Sequence, residues 1–138
     1  MRGRGTILDI LNVILATVVA FGAGAVWYMK LAEPWMAAAG IRRGAEGKPQ
    51  GGMDPKVMVL TFVMQLVVAG MMRHVFTLGG IDTVGKGLVA GLGIGLFFIA
   101  PWIALNYANA MRPFRLTLID GGYATLACTL MGIVLTLF

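Results

Sequence analysis

Four long apolar runs alternate with short polar segments along the chain, and the charged residues fall between the runs. The uncharged runs cover residues 10–29, 57–72, 88–111 and 121–138. A helix needs roughly 20 residues to cross the hydrocarbon core, within a working range of about 17 to 25. The second run reaches that length if Arg73 and His74 extend towards the headgroups. The pattern predicts an all-α integral membrane bundle of four transmembrane helices in one domain, near residues 7–31, 56–78, 85–110 and 116–137.

Composition supports a membrane protein. Of the 138 residues 59% are hydrophobic and only 12% are charged, whereas soluble domains carry about 25% charged residues. The net charge of +5 comes from basic residues beside the apolar runs, without the aromatic-basic surface of a nucleic-acid-binding domain. We therefore expect these basic residues to contact membrane lipids, and we expect no binding to nucleic acid.

The distribution of Lys and Arg predicts an orientation. The first and third loops hold seven basic residues (Lys30, Arg42, Arg43, Lys48, Lys56, Arg112 and Arg115), against four on the other side (Arg2, Arg4, Arg73 and Lys86). The excess predicts that the protein lies in a cell inner membrane with loops 1 and 3 facing the cytoplasm and both termini outside. Arg2 and Arg4, beside the first helix, favour the opposite orientation.

Small residues recur in the last two helices. Gly87, Gly91 and Gly95 are four residues apart and share one helix face, which predicts close approach of another backbone. The fourth helix has a comparable stripe at residues 124, 128 and 132. Pro101 lacks an N–H group and clashes with the carbonyl of Phe97, so a kink is expected there.

Polar residues concentrate in one stretch, "NYANAMRPFRLTLIDGGY" at 106–123. Because loops 1 and 3 share a membrane face, we predict a polar clasp made of Trp27, Tyr28, Trp35, Asn106, Tyr107, Arg112, Arg115, Asp120 and Tyr123. Asp120 is predicted in the first turn of the fourth helix, after a turn at 111–114. An unpaired carboxylate there costs several kcal/mol, which predicts an ion pair with Arg112 or Arg115. The alternative for the same residues is a binding site for a lipid headgroup or a polar ligand.

Two segments carry a family resemblance. "WYMKLAEPWMAAAG" at 27–40 and the 106–123 stretch, followed by Met131 and Gly132, resemble the uncharacterised bacterial membrane proteins of domain-of-unknown-function family 1761. The resemblance implies a four-helix fold and a bacterial setting, and it implies no activity. The motif positions are Trp27, Tyr28, Trp35, Met36, Asn106, Tyr107, Arg112, Asp120 and Tyr123.

The remaining chemistry predicts no enzyme. The chain has no serine and one cysteine, and its acids form no acid–base pair. His74 is the single histidine. It is more typical of an interfacial polar residue than of an axial ligand to a pigment, and we expect no cofactor beyond a possible lipid or pigment contact. Gln65 lies in mid-helix, where it needs a hydrogen-bond partner in the bundle.

Three hypotheses for function follow. The first is a non-catalytic accessory subunit that packs against larger membrane-protein partners or against itself, because two small-residue stripes exceed what one small bundle needs internally. The second is a small homodimeric transporter or channel that uses Asp120 or Arg73. The third is a lipid- or quinone-binding protein, with walls of Trp27, Tyr28 and Trp35 and an arginine on an anionic headgroup.

Overall fold

All the secondary-structure elements of the described residues are helices. A computed structural model describes residues 5–42 and 54–138. The helices there are α1 (Thr6–Lys30), α2 (Ala32–Ala39), α3 (Pro55–Gly79), α4 (Val84–Asn109) and α5 (Phe114–Leu135). All except α2 are long and apolar enough to cross a membrane. The predicted all-α fold with four spans is confirmed, with helix bounds shifted by one or two residues. Arg2, Arg4, Arg43 and Lys48, used in the charge count, lie outside the described residues.

Local sequence explains where α3 and α4 begin. The side chain of Asp54 accepts a hydrogen bond of 2.9 Å from the Lys56 N–H, and Pro55 occupies the first helical position. Thr83 caps α4 in the same way, through the N–H of Lys86. These caps satisfy N–H groups that a helix leaves unbonded at its start.

The helices pack in the order α3–α1–α5–α4. Helix α5 is the most buried span and lies between α1 and α4, while α3 packs against α1 and reaches α5 beyond it. The buried core between these helices combines alanines and methionines with a few larger or branched side chains: Ala16, Ala20, Ala69, Met72, Phe76, Ala127, Cys128, Met131, Val134 and Leu135. The outer spans α3 and α4 therefore expose most of their surface.

The glycines of α4 face α5. A Cβ at Gly91 would overlap the carbonyl of Cys128, and one at Gly95 would lie 2.5 Å from the Cα of Thr125. Gly87 meets Gly132 in the same way. The small-residue stripes of the two helices thus pack against each other within one molecule. The inference that these stripes exceed internal needs was wrong.

Helix α4 contains a wider turn. Residues Gly95–Ile99 form a π-helical segment, in which the N–H of Ala100 donates to the carbonyl of Gly95, five residues earlier. Pro101 lies two residues after this segment, and the helix continues to Asn109. A kink was predicted at Pro101; the structure has a π turn just before the proline, and π turns and prolines are both common causes of helix bending.

Candidate functional site

Asp120 lies at the centre of a polar cluster that joins three spans. The hydroxyl of Tyr28 donates to Oδ1 of Asp120 across 2.6 Å, and the hydroxyl of Tyr107 donates to Oδ2 across 2.5 Å. Tyr28 comes from the last turn of α1, Tyr107 from the end of α4 and Asp120 from α5. All three side chains are partly buried. Both carboxylate oxygens therefore have a donor, which offsets much of the cost of placing the acid in a membrane span.

The predicted ion pair of Asp120 with an arginine was wrong. Among residues 5–42 and 54–138, no Lys or Arg nitrogen lies within 4.0 Å of the carboxylate. Nη1 of Arg112 donates instead to the carbonyl of Ala39 across 3.3 Å, and Arg115 is exposed. The reason is depth. Helix α5 begins at Phe114, so Asp120 lies nearly two turns inside it, about 9 Å along the axis.

Two tryptophans border the Asp120 cluster. Nε1 of Trp27 donates to the carbonyl of Ile119 across 3.0 Å. The ring of Trp35, on α2, meets the ring of Tyr28 edge-on with centroids 5.7 Å apart. Asn106 stands apart, because its side chain is exposed and its carbonyl accepts from the N–H of Ala110. The contact between the rings of Trp35 and Tyr28 therefore holds α2 against the Asp120 cluster.

Tyr123 forms a second link, one turn deeper in α5. Its hydroxyl donates to the carbonyl of Ala20 across 2.7 Å and lies 2.5 Å from Nε2 of Gln65. The site is tight, because a Cβ at Gly24 would lie 2.5 Å from that hydroxyl oxygen. Gln65 therefore has the partner expected of a polar residue in mid-span, and Tyr123 connects α1, α3 and α5.

The opposite end of the bundle holds a polar cluster that sequence reasoning missed. Arg73 is only 7% exposed, and its Nη1 donates to the carbonyl of Leu135 at 2.6 Å and to Oδ1 of Asn12 at 3.1 Å. Nδ2 of Asn12 donates to the carbonyl of Val134 at 3.0 Å. Arg73 thus gives a donor to the Leu135 carbonyl at the end of α5, where carbonyls lack helical partners. Asn12 adds a second donor to the Val134 carbonyl, which also accepts from the N–H of Leu137.

The expectation that Arg73 extends to the headgroups was therefore wrong. The available signal was the pair of polar residues inside apolar helices, since such residues normally pair within a bundle. His74, its neighbour, is exposed. In the described part of the chain, no three His, Cys, Asp or Glu side chains come together as metal ligands would.

The polar side chains of both clusters share one chemical role. Each donates or accepts a hydrogen bond from a different helix, and several act on backbone carbonyls. The Asp120 cluster fixes α1, α4 and α5 at one membrane face, and the Arg73 cluster fixes α1, α3 and α5 at the other. The arrangement positions helices through bonds that are costly to leave unmade in hydrocarbon.

Comparison with known proteins adds a family. No curated protein and no solved structure matches the chain. A family model described as "Protein of unknown function (DUF1761)" matches residues 11–136, a span that contains both polar clusters and all the motif positions. The chain therefore belongs to the DUF1761 family, and it is a small multi-pass membrane protein.

Proposed function

We propose that this protein is a non-catalytic accessory subunit that packs against a larger membrane protein in a bacterial inner membrane. The loops between α1 and α3 and between α4 and α5 face the cytoplasm in this proposal, in keeping with the Lys and Arg excess of those loops. One observation carries it: Phe97, Phe98 and Trp102 of α4 are 71%, 72% and 65% exposed. We call these three side chains the aromatic ridge.

The ridge follows from how α4 packs. Helix α4 turns its glycines towards α5, so its large side chains remain on the surface. Between helices in lipid there is little hydrophobic driving force, and association depends on packing and interhelical hydrogen bonds. Rigid aromatic rings provide large contact areas for such packing. Phe97 and Phe98 of the ridge lie within the π turn, a feature frequent at functional sites.

The chemistry of the ridge defines the partner. The polar side chains of both clusters bond to neighbouring helices, and residues 87–105 of α4, which include the ridge, are all apolar. A fitting partner is a transmembrane helix with small residues along one face, into which the aromatic rings can insert. A second copy of this chain is the alternative occupant, and the experiment distinguishes the two.

Photo-crosslinking in native membranes tests the proposal. A photoreactive residue replaces Phe98 on α4, and the matched control replaces Val67, which is 60% exposed near the middle of α3. We expect a covalent adduct to one larger membrane protein from position 98 and none from position 67. The same protein should co-purify at a fixed ratio in mild detergent and be lost from the variant with Phe98→Ala and Trp102→Ala. Adducts to lipid alone, or only to this chain, would contradict the proposal.

A small homodimeric transporter or channel is the second candidate. The observation in its favour is that Arg73, with 7% exposure, and the partly buried Asp120 both lie in membrane-spanning helices. They lie at opposite ends of α5, with the apolar core between them. Flux of ions and small amines into liposomes decides this candidate. Flux that Asp120→Asn abolishes in a folded protein would place it first, and no flux from the unmodified protein would remove it.

A further inference from the structure

The turn between α4 and α5 exposes apolar and basic side chains in alternation. Met111 is 91% exposed, the highest value among the large hydrophobic residues of the described chain, and Phe114 is 67% exposed. Arg112 and Arg115, which follow them, are also exposed. Segments of this composition lie at the boundary between headgroups and acyl chains, where apolar side chains enter the hydrocarbon and arginines reach phosphates.

The backbone holds this pattern in place. Met111 has φ +57° and is the one non-glycine residue with positive φ among the described residues. That conformation is uncommon for a side chain without local polar bonding. Met111 lies in the turn that ends α4, which the N–H of Arg112 closes by donating to the carbonyl of Tyr107. The turn therefore presents Met111 outward at some conformational cost.

Among the described residues, the two arginines have no anionic partner. Neither has a carboxylate within 4.0 Å in the residues that the structure describes. Both flank the N-terminus of α5, where the helix dipole disfavours cations. Arg112 uses one nitrogen on the carbonyl of Ala39, and a guanidinium has five N–H donors in total. Donors thus remain on both arginines for an external anion.

We propose that Met111, Arg112, Phe114 and Arg115 form a binding site for an anionic phospholipid. The arginines bind the phosphodiester of the headgroup, and Met111 and Phe114 enter the acyl layer beside it. Arg112 transmits the effect to α2, because the same guanidinium holds the carbonyl of Ala39 next to Gly40. The bound lipid thereby stabilises α2 against the bundle. The site is independent of the aromatic ridge and of the accessory role.

Lipid exchange followed by native mass spectrometry tests the site. The full chain is reconstituted in phosphatidylcholine vesicles with or without phosphatidylglycerol, then extracted in mild detergent. We expect retained phosphatidylglycerol and a higher Tm with it than with phosphatidylcholine alone. Replacing both arginines with glutamine should lower retention roughly 30-fold, the usual contribution of two basic residues at an anionic surface. Lys86→Gln, at the other membrane face, should leave retention unchanged.

Further variants and a soluble phosphate compound separate charge, apolar contact and headgroup binding. The side chain of Arg115 forms no hydrogen bond among the described residues, so Arg115→Gln tests the charge without disturbing the turn. Met111→Asn suits a positive φ, and combined with Phe114→Ser it should reduce lipid retention in a folded protein. Equal retention of both lipids would overturn the proposal. An equal rise in Tm with soluble glycerol phosphate would also overturn it, because that result would assign the arginines to a free phosphate.

Discussion

The hydroxyl of Tyr28 and the carboxylate of Asp120 lie 2.6 Å apart although 92 positions separate them in the chain. This bond joins the end of α1 to α5, and Tyr107 of α4 bonds to the second oxygen. In water such bonds would compete with solvent. Inside a membrane span the unbonded alternative is much less favourable, so the two tyrosines are expected to stabilise the fold measurably.

Tyr28→Phe and Tyr107→Phe should each lower the free energy of unfolding by about 1–2 kcal/mol, because each removes one bond to a charged acceptor. The double variant should lose more than the sum, since Asp120 then keeps no donor. Unfolding by SDS in mixed micelles, followed by tryptophan fluorescence, measures these differences. Strict additivity would indicate that each oxygen is solvated independently.

Arg73→Met should lower the free energy of unfolding by about 2–4 kcal/mol. The substitution keeps a long apolar side chain but leaves the carbonyl of Leu135 without this donor. His74→Gln is the control: the His74 side chain is exposed next to Arg73, so its replacement should change the free energy of unfolding little. The same micelle unfolding measures both. Equal stability of the Arg73→Met and wild-type proteins would mean that water caps the end of α5.

Gly91→Ala should destabilise the protein by about 1–3 kcal/mol through overpacking. Its Cβ would overlap the carbonyl of Cys128, whereas a Cβ at Gly93 meets nothing within 4 Å. Gly93→Ala should thus be neutral or stabilise by up to about 1 kcal/mol, through helix propensity. Thermal unfolding in detergent compares the two. Equal stability of the two variants would contradict the close packing of α4 on α5 at Gly91.

Gly24→Ala should displace Tyr123 and cost about 1–3 kcal/mol. A Cβ there would lie 2.5 Å from the tyrosine oxygen, which already bonds to Ala20. Gly22→Ala, on the same helix, meets nothing within 4 Å and serves as the control. Near-ultraviolet circular dichroism should change only in the first variant. An unchanged spectrum there would argue against the buried position of Tyr123.

The spans were predictable because transfer into lipid depends on residue type, and apolar runs encode it directly. Helix spacing likewise revealed that Gly87, Gly91 and Gly95 share a face. The partners of Asp120 were not predictable from charge alone. Opposite charge favoured an arginine, but α5 begins early enough to bring the acid to the depth of two tyrosines.

The Arg73 cluster shows a different obstacle. Its acceptors include the backbone carbonyls of Val134 and Leu135, and a carbonyl at a helix end has no residue type to identify it. The sequence marks Asn12 and Arg73 as residues that need partners. It leaves open which helix end provides them, because that depends on how far each span is shifted along the membrane normal.

The π turn of α4 acts as a one-residue insertion in the helical register. An extra residue rotates everything after it by about 100° relative to an uninterrupted helix. The contact series at Gly87, Gly91 and Gly95 therefore continues at Ala100, which faces Gly121, and seven residues later at Tyr107. Without this rotation the hydroxyl of Tyr107 would turn away from Asp120. Deletion of a single residue between 95 and 99 should accordingly disconnect α4 from the carboxylate while every residue of the Asp120 cluster remains in the chain.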